Sequence, residues 1–237
     1  MKELRVLAVS CHPCTLELVC GGTLAKYSSL GHKVFMAHVA NGDKGHISIM
    51  PDELAKIRHD EAEKSAKMIG AECFDLGTPD LEVYDSDKKL FNKVIDLFRE
   101  VKPDVILTHD PKDYAPDLQS VSKLVFGADY AASIYHYFTE INDIADVAPI
   151  YYMDTFAGIR FDPTEYVDIS EQINTKLDML RCHDSQLTWL IDHKDLDFVD
   201  FSNTMAKFRG IQCGVAYAEA FRRCMAWPRI TPYHLLP

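Results

Sequence analysis

A chain of 237 residues with a formal net charge of -11 and 47% hydrophobic residues has the size and make-up of one α/β domain with a sizeable core. The acidic balance, with no basic block, excludes a nucleic-acid partner, because phosphate contacts need clustered Lys and Arg. No apolar run approaches the roughly 18 residues that span a bilayer, and the apolar part of MKELRVLAVS is too short for a secretory core. The expectation is a cytoplasmic protein, without a membrane partner, whose seven cysteines stay reduced.

Leu4–Ser10 reads as a buried first strand. Glu17–Leu30 reads as a helix closed by Gly31, and Lys33–Ala40 (KVFMAHVA) as a second strand ended by the Asn41-Gly42 turn. Pro51–Gly70 is an amphipathic helix, with Leu54, Ile57, Ala62, Ala66 and Ile69 along one face. A short strand at Cys73–Leu76, an amphipathic helix at Lys88–Val101 and a core strand at Asp104–Thr108 follow. Beyond them the pattern predicts a helix over Ser120–Tyr137, a strand in PIYYMDT, a helix from Ser170 to about Leu190 and a last helix over Gly214–Arg223. This alternation predicts a Rossmann-like, mainly parallel sheet with helices on both faces, as a single domain over residues 1–237. Such sheets bind ligands beyond the carboxyl ends of their strands, which singles out residues 10–15, 41–45 and 109–118.

The first of these segments lies in VSCHPCTLELVCGG. Cys11 and Cys14 flank His12-Pro13 at a strand-to-helix junction, where a helix N-terminus lowers a thiol's pKa, so a redox pair is one reading. A metal site from His12, Cys14 and one of His109, Asp113 or Asp117 is a second, with donors suited to zinc or copper. Arg58 either reaches a pocket through its planar fork or pairs with Glu61 along the helix surface.

Several blocks carry a resemblance: HPCTLELVCGGTLAKYSSLGHKV, IRHDEAEKSAKMIGAE, KPDVILTHDPKDYAPDLQSV, YVDISEQINTKLDMLRCHDSQ and RGIQCGVAYAEAFR. Together they resemble the LmbE-like, PIG-L-type N-acetylglucosaminyl deacetylases. The resemblance implies that family's fold and a zinc ion held by the His and second Asp of its first motif and by the His ending its second loop. The motif's first Asp is then the general base against an amide. Three protein ligands and an open position lower the pKa of zinc-held water to about 7.

Carried over by position, His12 keeps the first ligand place, Thr15 stands at the second, Leu118 at the third and Cys14 at the base. Ala115 stands where a His is frequent. The resemblance therefore implies a decayed centre without a cofactor, whose pocket still takes a small sugar or amino-sugar-like ligand. Arg58, Glu17, His109, Asp113 and His183 are expected to bind that ligand, with His183 at the rim, and Cys14 marks the catalytic position. The alternatives are an active N-deacetylase or amide hydrolase with an altered, zinc-holding metal set, or a thiol enzyme using Cys14 with His12 or His109 as base. The family's habit of assembling implies a homo-oligomer.

Overall fold

In the computed structural model, which describes residues 2–237, the first half follows the expected alternation. Its elements are β1 (Arg5–Ser10), α1 (Thr15–Ser29), β2 (Lys33–Ala40), α2 (Pro51–Met68), β3 (Glu72–Thr78), α3 (Lys88–Val101) and β4 (Val105–Thr108). α1 ends before Gly31, whose φ of +82° glycine adopts without steric cost. Pro51, Asp52 and Glu53 open α2, placing a ring with no N–H and two carboxylates at its positive end. Asp87 caps α3 by accepting from the amides of Lys89 and Leu90.

The second half departs from expectation. α4 (Pro116–Ala132) starts earlier than Ser120, because Pro116 suits a first helical turn, and stops short of Tyr137. The chain beyond it turns around the buried Arg99 guanidinium, which donates to the carbonyls of Ala132, Ile134, Tyr137 and Ile141. After β5 (Ile150–Met153) comes a short strand the sequence did not reveal, β6 (Glu165–Asp168). The single helix expected from Ser170 is two, α5 (Ile173–Arg181) and α6 (Asp184–Lys194), with a break at His183, whose φ of -90° and ψ of 55° are not helical. α7 (Phe198–Cys213), capped by Asp197, was not anticipated either. The expected helix over Gly214–Arg223 is instead a turn at Gly214 and then β7 (Ala218–Arg223). Pairing with a strand on each side overrides the helical preference of AEAFRR.

The seven strands form one sheet in the order β3-β2-β1-β4-β5-β7-β6, parallel from β3 through β5, with β7 antiparallel to both neighbours. Alternation along β1 divides the core. Leu7 and Val9 pack with α3 and α4 residues on one face, and Val6 and Ala8 with α1 and α5 residues on the other. Chain order reverses between β1 and β4, so a crevice opens beyond their carboxyl ends. No helix among the described residues is long and apolar enough to cross a membrane.

Candidate functional site at the β1–β4 crevice

After Ser10 the chain turns through residues 11–14 into α1, and after Thr108 it turns through residues 109–115 into α4. The two turns are latched together. The Cys11 amide donates to Nε2 of the buried His109 at 2.9 Å. Burial, with His12 nearby, pushes the His109 pKa down to about 3, which keeps Nε2 an acceptor. His109 thus positions the loop that carries His12 and is itself sealed from solvent.

His12 faces the mouth. Its Nε2 lies 3.0 Å from Asp117 Oδ2, 3.6 Å from Asp80 Oδ1 and 3.6 Å from Cys11 Sγ. Cys11 Sγ is in turn 3.8 Å from Asp117 Oδ2. The hydrogen bond with His12 holds the Asp117 carboxyl below its ordinary range, although burial opposes it. Burial, then the charges of Asp117 and Asp80, push the Cys11 thiol well above its usual value. Asp80 accepts the amides of Gly42 at 3.1 Å and Lys44 at 3.2 Å, so it also anchors the loop after β2. Asp43 and Glu82 pair with Lys44 beside it and extend an acidic rim. Asp80 was missed in the sequence. Its signal was position, just beyond the carboxyl end of β3.

The family's zinc and base positions do not fit a metal centre of that kind. Thr15 is buried at the start of α1, and Leu118 is only 2% exposed, packed in the core with Val9 and Val121. Cys14 caps α1 at φ +74°, a left-handed conformation that Asp visits more readily than Cys. Its thiol lies among Leu18, Leu180, Leu190 and Phe198. Burial, then the charge of Glu17, push it up to about 12. A thiol so placed is held in its neutral form near neutral pH. Cys11 belongs to a different cluster from Cys14, and both are free thiols, so the dithiol reading gains nothing from the fold.

The other expected ligand-binding residues are buried and have partners within the fold. His183, expected at the rim, is 1% exposed, drawn inward to Glu17 with Nε2 3.0 Å from Oε1. The contact is a close approach off the hydrogen-bond axis. Ser65 donates to the same Glu17 oxygen at 2.6 Å. Burial alone would raise the Glu17 pKa, but His183, His38 and Ser65 hold it down to about 2. Arg58 donates to the carbonyls of Gly42 at 2.7 Å and Gly45 at 3.0 Å. A Cβ on Gly42 would stand 2.5 Å from Arg58 Cδ, so glycine lets the loop wrap the guanidinium. Glu61 does not pair with Arg58; it accepts from the amide and hydroxyl of Ser185, each at 2.7 Å, and starts α6. Asp113 is a buried turn residue accepting the Ala115 amide at 3.0 Å, and burial raises its pKa.

At the crevice an imidazole is therefore set between two carboxylates, the partly exposed one of Asp117 and the buried one of Asp80, an arrangement that accepts hydrogen bonds from hydroxyl or ammonium groups and repels anions. A separate half-open pocket of about 30 Å³, beside the buried pairs Lys176–Glu219 and Arg209–Asp154, is large enough for roughly one water.

A profile of the PIG-L family, described as GlcNAc-PI de-N-acetylase, matches residues 7–128. The diacetylchitobiose deacetylase of Thermococcus kodakarensis is 25% identical over 229 residues, 92% of this chain and 82% of that protein. The solved N,N'-diacetylchitobiose deacetylase from Pyrococcus horikoshii superposes with a TM-score of 0.80 at 26% identity, covering 92% of this chain and 83% of that one. The 4-carboxy-2-hydroxymuconate hydratase from Pseudomonas putida shares the fold, with a TM-score of 0.82 at 22% identity over 99% of this chain and 100% of that one.

Proposed function

The chain belongs to the PIG-L family, and we propose that it binds a polar, amino-sugar-like ligand at the His12 mouth without carrying out zinc-dependent N-deacetylation. Cleaving an acetamide requires a group that takes a proton from the attacking water. The observation that carries the reading is Cys14, which stands at that base position with its thiol pushed up to about 12 beneath Leu190 and Phe198. Thr15 and Leu118 compound the loss, since an alcohol is a poor donor to zinc and an aliphatic chain is none.

The ligand class follows from what the mouth offers. His12, Asp80 and Asp117 supply acceptors, and the rim carboxylates of Asp43 and Glu82 pair with Lys44. Hydrogen bonds to charged groups are worth about 1.5–3 kcal/mol each, which suits the hydroxyls and free amine of an amino sugar. The same acidity disfavours a carboxylated ligand of the kind named for the structurally similar hydratase.

Calorimetric titration with chitobiose and with its diacetylated form, alongside an acetate-release assay with added zinc, tests this. The free-amine sugar should bind more tightly than the acetylated one, no acetate should accumulate, and Asp117→Asn should weaken binding about tenfold, equivalent to about 1.4 kcal/mol. Multiple-turnover acetate release, or failure of both sugars to bind, ends the proposal.

A further inference from the structure

We propose that Cys11 Sγ, His12 Nε2 and Asp117 Oδ2 form a divalent-metal site that takes zinc(II) or cobalt(II) on donors other than the family's set. Among the described residues this is the only group of three His, Cys, Asp or Glu side chains whose ligand atoms all lie within 4.8 Å of one another. The shape of the triangle is the argument. A tetrahedral zinc with ordinary bond lengths holds sulfur and nitrogen ~3.6 Å apart, sulfur and oxygen ~3.6 Å apart, and nitrogen and oxygen ~3.4 Å apart. The corresponding distances are 3.6, 3.8 and 3.0 Å.

Each donor is held in place by the fold. The Cys11 amide is latched to His109. Asp117 lies in the first turn of α4 and gives its other oxygen to the Leu118 amide at 3.0 Å, which leaves Oδ2 for the triangle. Both new donors adjoin a motif position in sequence, Cys11 beside His12 and Asp117 beside Leu118, so a short shift in register rebuilds a three-donor set where the original one is broken. Asp80 reaches His12 but lies outside the group, its oxygens engaged by the Gly42 and Lys44 amides. Thiolate, imidazole and carboxylate together favour zinc and cobalt over magnesium or calcium.

On binding, the Cys11 S–H bond breaks, its proton leaves to solvent and a sulfur–metal bond forms, while His12 gives its Nε2 lone pair and Asp117 an oxygen. Nothing is oxidised or reduced. Two anionic donors and a dication leave the three-donor set neutral beside the Asp80 carboxylate. The fourth position faces the mouth, where the His12 and Asp117 side chains are 29% and 18% exposed.

This inference shares His12 and Asp117 with the sugar-binding reading, and one experiment separates them. The full chain is stripped with a chelator, dialysed under reducing conditions and titrated with cobalt(II). One equivalent should bind, with a near-ultraviolet thiolate-to-cobalt charge-transfer band that zinc(II) displaces. Cys11→Ser should abolish the band, and Asp117→Asn should weaken cobalt binding by more than about 100-fold, beyond the 10–100-fold typical of outer partners. Cys14→Ser should leave the band intact. A wild-type chain without the band, or a band that survives Cys11→Ser, overturns the site, and the wild-type arm needs no variant to fold. Stripped protein that binds chitobiose but shows no band sinks the metal site alone. Cobalt-loaded protein that shows the band and releases acetate upholds the metal site and sinks the binding reading.

Discussion

Glu17 carries its carboxylate with no exposed surface at all, and its charge survives there because His183, His38 and Ser65 surround it. Folding lowers its pKa from 4.5 to about 2, so its contribution is present above about pH 4.5 and is lost as pH falls toward 2. The shift corresponds to about 3 kcal/mol. Urea unfolding at pH 7 and pH 3 should therefore show a fall in stability that Glu17→Gln, already weakened at pH 7, largely removes. If both proteins lose the same stability between those pH values, the buried charge is not what acid attacks. His183 shows why such a residue misleads a reader of sequence. A helical His near a ligand-binding motif looks like a rim residue, and only the fold reveals that it packs against Glu17.

α1 is clamped along its middle by β7 and α5. Glu219 accepts from the amides of Gly22 at 2.9 Å and Thr23 at 2.7 Å and from the Thr23 hydroxyl at 2.6 Å, all along the middle of the helix. Lys176 meets the same carboxylate at 2.5 Å and takes the Leu18 carbonyl at 2.7 Å. A Cβ at Gly22 would stand 2.7 Å from Ile169 Cδ1, so glycine is needed for this close approach. Glu219→Gln leaves a buried ammonium unpaired and should cost about 3–5 kcal/mol, read as a lower denaturant midpoint with unchanged slope. A loss below about 1 kcal/mol would mean the clamp is incidental. The Gly21-Gly22 pair was visible in the sequence. The reason for Gly22 was not, because the side chain that demands it, Ile169, lies far along the chain, just after the short strand β6 that the sequence did not reveal.

For the whole molecule, the legible part was what local chemistry decides. Apolar runs marked β1, β2 and β4, caps and periodicity marked α2 and α3, and the strand-end rule pointed to the three loops that surround His12. Illegible was whatever long-range pairing decides. β6 and β7 are strands because each lies beside another, and the mouth joins Cys11, Asp80 and Asp117 from loops far apart in the chain. Substitution at Thr15 and Leu118 was plain in the letters, and Asp117 stood there as one of three candidate donors beside His12, yet the choice among the three, and Cys11 in place of Cys14, required the fold.

The position of β7 between β5 and β6 also sets a timetable. On the ribosome, β3 through β5 have been made long before residues 218–223 emerge, and β6 has no neighbour to join until they do. In that interval Ile150–Met153, wholly buried in the finished protein, presents a bare apolar border able to recruit another chain. A chain truncated after Cys213 should persist in that state and be recovered as aggregate, whereas the full chain expressed alongside it stays in solution. A monomeric, cooperatively unfolding truncation would show that the border is harmless.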